Sequence, residues 1–257
     1  MRFFISLSLV FLFLQSSISF AEDFSDNSDC KVVFLGGSKI SSTNPSNQKE
    51  PVKTVFTSAD RIIVDLYDDG SIVVKKRIFS NPQPYSYSVL DNLAPELLHD
   101  IVDITATYYE CYALRKDGVL IMIGDYEHPD SSPKILFENV ITVVGSVLAI
   151  AGIQEIQGVR SGFTYGRTFG GDSSKILDKI SSNVLDVVAN CFAFSFRVTD
   201  GSDTTVVSLG SPEYGGDSSS VAKKLHDIVK VEPNDYSSGF IATRKDGSKV
   251  SWGEKSK

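Results

Sequence analysis

The stretch Phe240-Ile-Ala-Thr-Arg-Lys-Asp-Gly-Ser-Lys-Val-Ser-Trp-Gly253 decides how this chain is read. An apolar run meets Arg-Lys-Asp-Gly, and a second run ends on Trp-Gly. Asp-Gly between two apolar runs marks a tight hairpin, because glycine accepts the positive φ that the turn requires. Working backwards, the same tetrapeptide ends CYALRKDG at Gly118, and LYDDG and RVTDG end at Gly70 and Gly201 in matching places. A third copy keeps only Gly158 there. Gly124, Gly166 and Gly210, like Gly253, each close the short β-branched run that follows the turn.

Upstream of each turn lies a third marker: a branched aliphatic, two residues, another branched aliphatic, two residues and a small polar residue. It appears as VKTVFTS from Val52, IVDITAT from Ile101, VITVVGS from Val140, VLDVVAN from Val184 and IVKVEPN from Ile228, a mean step of about 44 residues. A fourth marker is the loop Phe169-Gly-Gly-Asp-Ser-Ser, repeated from Tyr214. Short helical turns are expected over 175–182 and 220–227. Each unit therefore reads as strand, strand, hairpin, strand and Gly/Ser-rich loop. Units of 40 to 45 residues with three or four strands, and no long amphipathic helix, predict an all-β array with the arithmetic of β-propeller blades. Val140–Ile153 reads as two buried strands joined at Gly145-Ser146, since 14 residues with two glycines are too short to cross a membrane as a helix. Phe192, Phe194 and Phe196 alternate, which predicts three aromatics on one strand face.

With these markers in view, the units resemble the regulator of chromosome condensation repeat, which shows V-x-x-V-x-x-G, x-D-G-x-V-Y-x-W-G and a Gly-rich loop. They also resemble a shorter repeat of exported microbial proteins with A-F-A-A-L, D-G-S-V-V-T-W-G and Y-G-G-D-S-S. The chain departs from the pattern in having one tryptophan, no His-Thr pair, and Lys75-Lys76 where Trp-Gly is expected. The resemblance implies a β-propeller of about five repeats over residues 52–257. Within the N-terminal segment 22–51, Val32-Val-Phe-Leu35 resembles the closing strand of a unit and is expected to complete the last one. Nucleotide-exchange activity belongs to a nuclear member and is not implied for this chain.

Residues 1–21 carry Arg2, an apolar run from Phe3 to Leu14, and Ser19-x-Ala21 before Glu22, the pattern of a cleaved secretory signal. The product is expected outside the cytoplasm: secreted, periplasmic or at the cell surface, with no membrane span in the mature chain. Twenty-five basic against 32 acidic residues, a net charge of −7, argue against a nucleic-acid partner or an anionic membrane. Cys30, Cys111 and Cys191 have no metal or redox spacing. One disulfide with a free thiol is open, and three buried thiols are expected.

No catalytic, cofactor or metal residue is expected. His99, His128 and His226 lack metal-ligand spacing; His99 and His226 end units at the same phase, as Leu-His-Asp. Gly-Gly at 36–37, 170–171 and 215–216 reads as turn glycine. The acidic stretch Asp65–Gly70 is the best calcium candidate by composition, but reads as a hairpin turn. Gly70, Gly118, Gly201, Gly247, Gly124, Gly166, Gly210 and Gly253 are structural turn residues. Tyr85, Tyr87, Tyr108, Tyr109 and Tyr214 are candidate contact platforms on loops. The expected function is a non-catalytic binding module for a protein or glycan. The competing readings are a secreted hydrolase or lyase with a central-channel site, and a virulence factor engaging a host GTPase.

Overall fold

The computed structural model describes residues 50–57, 62–78, 86–89, 94–125, 133–168, 170–234 and 239–253. Residues 1–21, with the expected secretory signal, residues 32–35, Cys30, Tyr85 and His128 lie outside the described residues. Among the described residues, seventeen strands form five antiparallel sheets, each from consecutive strands. Sheet I holds β1 (Lys53–Phe56), β2 (Ile62–Leu66), β3 (Ile72–Ile78) and β4 (Ser86–Val89). Sheet II holds β5 (Ile101–Ala106), β6 (Glu110–Arg115), β7 (Leu120–Asp125) and β8 (Lys134–Phe137). Sheet III holds β9 (Val140–Gly145), β10 (Ala149–Ile156) and β11 (Val159–Gly166). Sheet IV holds β12 (Val184–Ala189), β13 (Ala193–Thr199) and β14 (Thr204–Gly210), and sheet V β15 (Ile228–Pro233), β16 (Phe240–Arg244) and β17 (Lys249–Trp252). A single helical turn, α1 (Leu177–Ile180), and 3-10 turns at Pro212–Tyr214 and Ser219–Lys224 follow the third strands of sheets III and IV.

The sheets stand side by side along their first strands: β1 touches β5, β5 touches β9, β9 touches β12 and β12 touches β15. The apolar clusters lie between sheets. Val64 of sheet I packs with Ile101 and Ile104 of sheet II; Tyr112 and Leu120 of sheet II with Val140 and Val143 of sheet III. Ala149 and Ile153 of sheet III meet Val184, Val187, Phe194 and Phe196, and Val206 of sheet IV meets Ile228, Val231 and Trp252. This is the blade packing of a β-propeller, in which each sheet buries a face against its neighbour. The two aliphatics of the recurring motif, three residues apart, are the plugs. Both are buried in each of sheets II to V.

Three residues apart is an unusual spacing for one strand face, where the period is two. A β-bulge resolves it. The pairing skips Val102, Ile141, Leu185 and Val229, the second residue of β5, β9, β12 and β15. The extra residue turns the following aliphatic back to the buried face. Just before each bulge stands a residue at positive φ: Asp100 (50°), Asn139 (58°), Asn183 (57°) and Asp227 (54°). Asp and Asn tolerate this left-handed region better than other side chains. Their carbonyls accept from the backbone N–H of Lys116, Glu155, Thr199 and Lys245 at 2.8–3.1 Å. An Asp or Asn directly before an aliphatic is thus a fifth repeat marker, readable in the sequence.

One strand differs from the alternation read in the sequence. Phe194 and Phe196 share the core between sheets III and IV, but Phe192 belongs to a separate cluster, because β13 begins at Ala193 and Phe192 is still in the preceding loop.

Candidate functional site

The small polar residue that closes the recurring motif has a specific task. It caps the loop between the first and second strands of its sheet. Thr107 Oγ1 accepts from the N–H of Tyr109 (3.2 Å) and Glu110 (2.9 Å). Ser146 Oγ accepts from Ala149 N–H at 3.2 Å, and Asn190 Oδ1 from Phe192 (3.1 Å) and Ala193 (2.9 Å). With its own polar group holding the backbone, each loop carries two larger side chains: Tyr108-Tyr109, Val147-Leu148 and Cys191-Phe192.

These loops are joined to one another by backbone. Tyr108 N–H donates to Val147 O (2.6 Å), and Val147 N–H to Cys191 O (2.9 Å). Arg167 N–H donates to Leu148 O (2.9 Å), and Ser211 N–H to Phe192 O (2.8 Å). Asn190 Nδ2 donates to Tyr214 O at 2.7 Å, bringing the fourth-marker loop into the same surface. Val147, Leu148, Cys191 and Phe192 form one cluster with the half-buried Tyr108, Tyr109 and Tyr214 packed on it. Tyr108 and Tyr109 meet edge to face at 4.9 Å, and Phe192 and Tyr214 at 4.6 Å. The Arg167 guanidinium lies 4.4 Å from the centre of the Tyr109 ring, a cation–π contact.

Below the platform the Glu110 carboxylate is buried. It accepts from Thr107 Oγ1 at 2.5 Å and Tyr112 OH at 3.4 Å, with Arg167 Nε 3.7 Å away. Burial, and then the Glu110 charge, push the Tyr112 hydroxyl and the Cys111 thiol well above their ordinary values. Cys111 therefore stays a protonated, unreactive thiol at neutral pH.

The structure thus brings together three of the five tyrosines singled out by sequence, the adjacent Tyr108 and Tyr109 after β5 and Tyr214 after β14, about a hundred residues further on. Tyr87 lies on β4. Glu110 and Arg167 were not anticipated; the signal for Arg167 was its place directly after the closing Tyr165-Gly166. His99 and His226 pair through Nδ1 with the carboxylates of the adjacent Asp100 (2.9 Å) and Asp227 (3.0 Å), at the opposite end of the sheets. The acidic stretch diverges: Asp65 is buried on β2 against Thr54 and Lys75, while Asp69 turns to Ser71. No group of three or more His, Cys, Asp or Glu able to hold a metal occurs among the described residues. The expectation of three buried thiols is corrected: Cys191 is disulfide-bonded, and Cys111 is free and buried.

The turn glycines also have distinct surroundings. Gly70, Gly118, Gly201 and Gly247 have φ of 80–94° at the hairpins, and Gly166, Gly210 and Gly253 84–134° at the ends of the third strands, while Gly124 is buried on β7. In the fourth-marker loops, a Cβ on Gly171 or Gly216 would stand 2.2 Å from backbone of the preceding turn, so only glycine fits.

No protein-family model matches the chain, and no curated protein is similar to it in sequence. Solved structures are similar to it in fold. The chain is similar in structure to the yeast RCC1 protein, Prp20p of Saccharomyces cerevisiae. The identity is 14%, the TM-score 0.47, and the match covers 77% of this chain and 55% of Prp20p, a protein described with its binding to Gsp1p and histones. Human WBSCR16 is similar at 15% identity and a TM-score of 0.42, over 66% of this chain and 50% of that one. The chain spans about half the length of these structures. No described helix is long and apolar enough to cross a membrane.

Proposed function

We propose that this chain is an exported, non-catalytic propeller module that takes a protein ligand on the face built by its first loops. The observation that carries this reading is the platform itself. Three consecutive sheets contribute to one backbone-linked face, with the half-buried Tyr108 and Tyr109 over the buried Leu148 and Phe192, edged by Arg167 and Tyr214. Tyrosine and arginine around an apolar centre are the composition of protein-binding hot spots. Their rings also suit stacking on sugars, which keeps a glycan as the second reading.

A photo-crosslinking residue placed at Tyr109 should capture one protein species, and Arg167→Ala should weaken that capture. The same residue at Val159, exposed at the hairpin end, should capture none. Saturable binding on a glycan array that Tyr109→Ala abolishes would replace protein by carbohydrate. Neither kind of ligand at this face overturns the reading.

A further inference from the structure

Among the described residues, three buried side-chain oxygens have no hydrogen-bond partner: Asp186 Oδ1, Ser195 Oγ and Ser208 Oγ. All three lie on one face of sheet IV. Asp186 and Val188 alternate along β12, Ala193, Ser195 and Arg197 along β13, and Val206 and Ser208 along β14. Val188, Ala193 and Val206 of this set pack with Ile228, Val231, Phe240 and Trp252, so the face is the one turned to sheet V.

The other sheets fill the same register differently. Ser195 is the third residue of its strand and stands opposite Ser208. The matching pairs are Val64 and Val74 in sheet I, Tyr112 and Met122 in sheet II, and Ala151 and Thr164 in sheet III. Where these pairs carry a hydroxyl it has a partner: Tyr112 reaches Glu110, and Thr164 donates to Gly171 O at 3.1 Å. Sheet IV instead sets two unpartnered hydroxyls into an apolar joint. Such groups give up water on closing and regain it on opening, so they favour the open joint, by roughly tenfold for the pair.

We propose that the joint between sheets IV and V opens reversibly, with sheet V parting as a unit while sheets I to IV stay assembled. The links across the joint give the movement its direction. At the hairpin end, Thr205 Oγ1 donates to Leu225 O and Asp227 N–H to Asp203 Oδ1, both at 2.6 Å. These bonds hold the entry to β15 on sheet IV and mark the pivot. At the platform end, Asn190 Nδ2 reaches Gly239 O at a long 3.4 Å, and Trp252 Nε1 donates to Gly215 O at 2.9 Å. Tyr214, beside Gly215, packs on both the platform and the joint. The consequence for binding rests on reading the platform as the ligand site: a ligand gripping Tyr214 and Phe192 favours the closed joint.

Native-state hydrogen exchange of the full chain reads the opening. Trp252 is the chain's one tryptophan, so its indole N–H, inside the joint, is a single resonance. That proton and the paired amides of β16 should exchange together, at least about tenfold faster than the paired amides of β6 and β10. In Ser195→Ala/Ser208→Ala both should slow about tenfold, because the open state no longer regains the hydration of two hydroxyls. Ser251→Ala, which removes an exposed hydroxyl from β17, should leave both rates as they are. Sheet V exchanging no faster than β6 and β10 overturns the opening. Rates unchanged or quickened in the double variant overturn it too, since the hydroxyls would then be satisfied in the closed joint, as by a bound water. None of these readouts uses a ligand. A platform that binds nothing therefore leaves the opening in place, and a joint that stays shut leaves the platform as it is.

Discussion

Gly118 and Gly247 end identical Arg-Lys-Asp-Gly turns, at φ of 86° and 83°, yet meet different surroundings. A Cβ on Gly247 would meet nothing within 4 Å, whereas on Gly118 it would lie 3.1–3.2 Å from the backbone of Asn139 and Val140 in the next sheet. Gly247→Val should therefore cost about 1–3 kcal/mol from backbone strain alone. Gly118→Val adds a collision at a sheet joint and should cost clearly more. Lys245→Ala, exposed on the same hairpin, should be near neutral. Thermal melting of the three variants checks the order, and equal losses for the two glycines would contradict the packing. Sequence alone showed both turns, because Asp-Gly is a local signal. It could not show which of the two is pressed against a neighbour, since that depends on how sheets II and III meet.

At the scale of the strand, β5 offers an internal contrast. Ile104 is fully buried between sheets I and II, while Val102, two residues away on the bulge, is 53% exposed. Ile104→Ala should cost about 2–5 kcal/mol and Val102→Ala under about 0.5 kcal/mol, measured by denaturant unfolding. Similar losses would mean that the bulge is misplaced. The aliphatic motif was legible because it recurs in every unit, whereas the bulge between its two aliphatics is a property of pairing, marked in the sequence of sheets II to V only by the Asp or Asn that precedes it. The loops and hairpins carry a second element-scale signature. Ser248 holds the Asp246 carboxyl below its ordinary 3.8, Asp203 and Ser202 hold Asp200, and Arg115 holds Asp117. The Ser174 and Ser219 amides hold Asp172 and Asp217 in the same direction. A carboxyl lowered in the folded state stabilises above its unfolded pKa and loses that contribution as pH falls through the folded value. Stability should thus be flat near neutrality and decline below about pH 4. Asp200→Asn should flatten that acid limb in a pH series of melting curves; an unchanged limb would show that the turn carboxylates do not set it.

For the whole molecule, five sheets cohere through four inter-sheet cores rather than one central core, so each boundary is a place where the array is fixed or broken. Gly162 of β11 marks one of these close approaches. A Cβ there would stand 2.9 Å from the ring of Phe196 in sheet IV. Gly162→Val should force sheets III and IV apart and cost about 1–3 kcal/mol or more, with exchange protection lost first in β11 and β13. Uniform loss over all five sheets would argue against boundary-by-boundary cohesion. The secretory-signal pattern of residues 1–21 makes a prediction at the same scale: intact mass of the protein recovered outside the cytoplasm should begin at Glu22, and retention of residues 1–21 would refute cleavage after Ala21. The platform was legible only as separate tyrosines, because residues from three units become neighbours only when the sheets stand side by side. Its loops are fastened to one another by main-chain hydrogen bonds, as from Tyr108 to Val147 and from Val147 to Cys191. Main-chain links do not depend on which side chains the loops display. The half-buried Tyr108 and Tyr109 can therefore change by mutation over the buried Leu148 and Phe192 while the surface keeps its contour, so selection has room to re-aim this face at new ligands without rebuilding the scaffold beneath it.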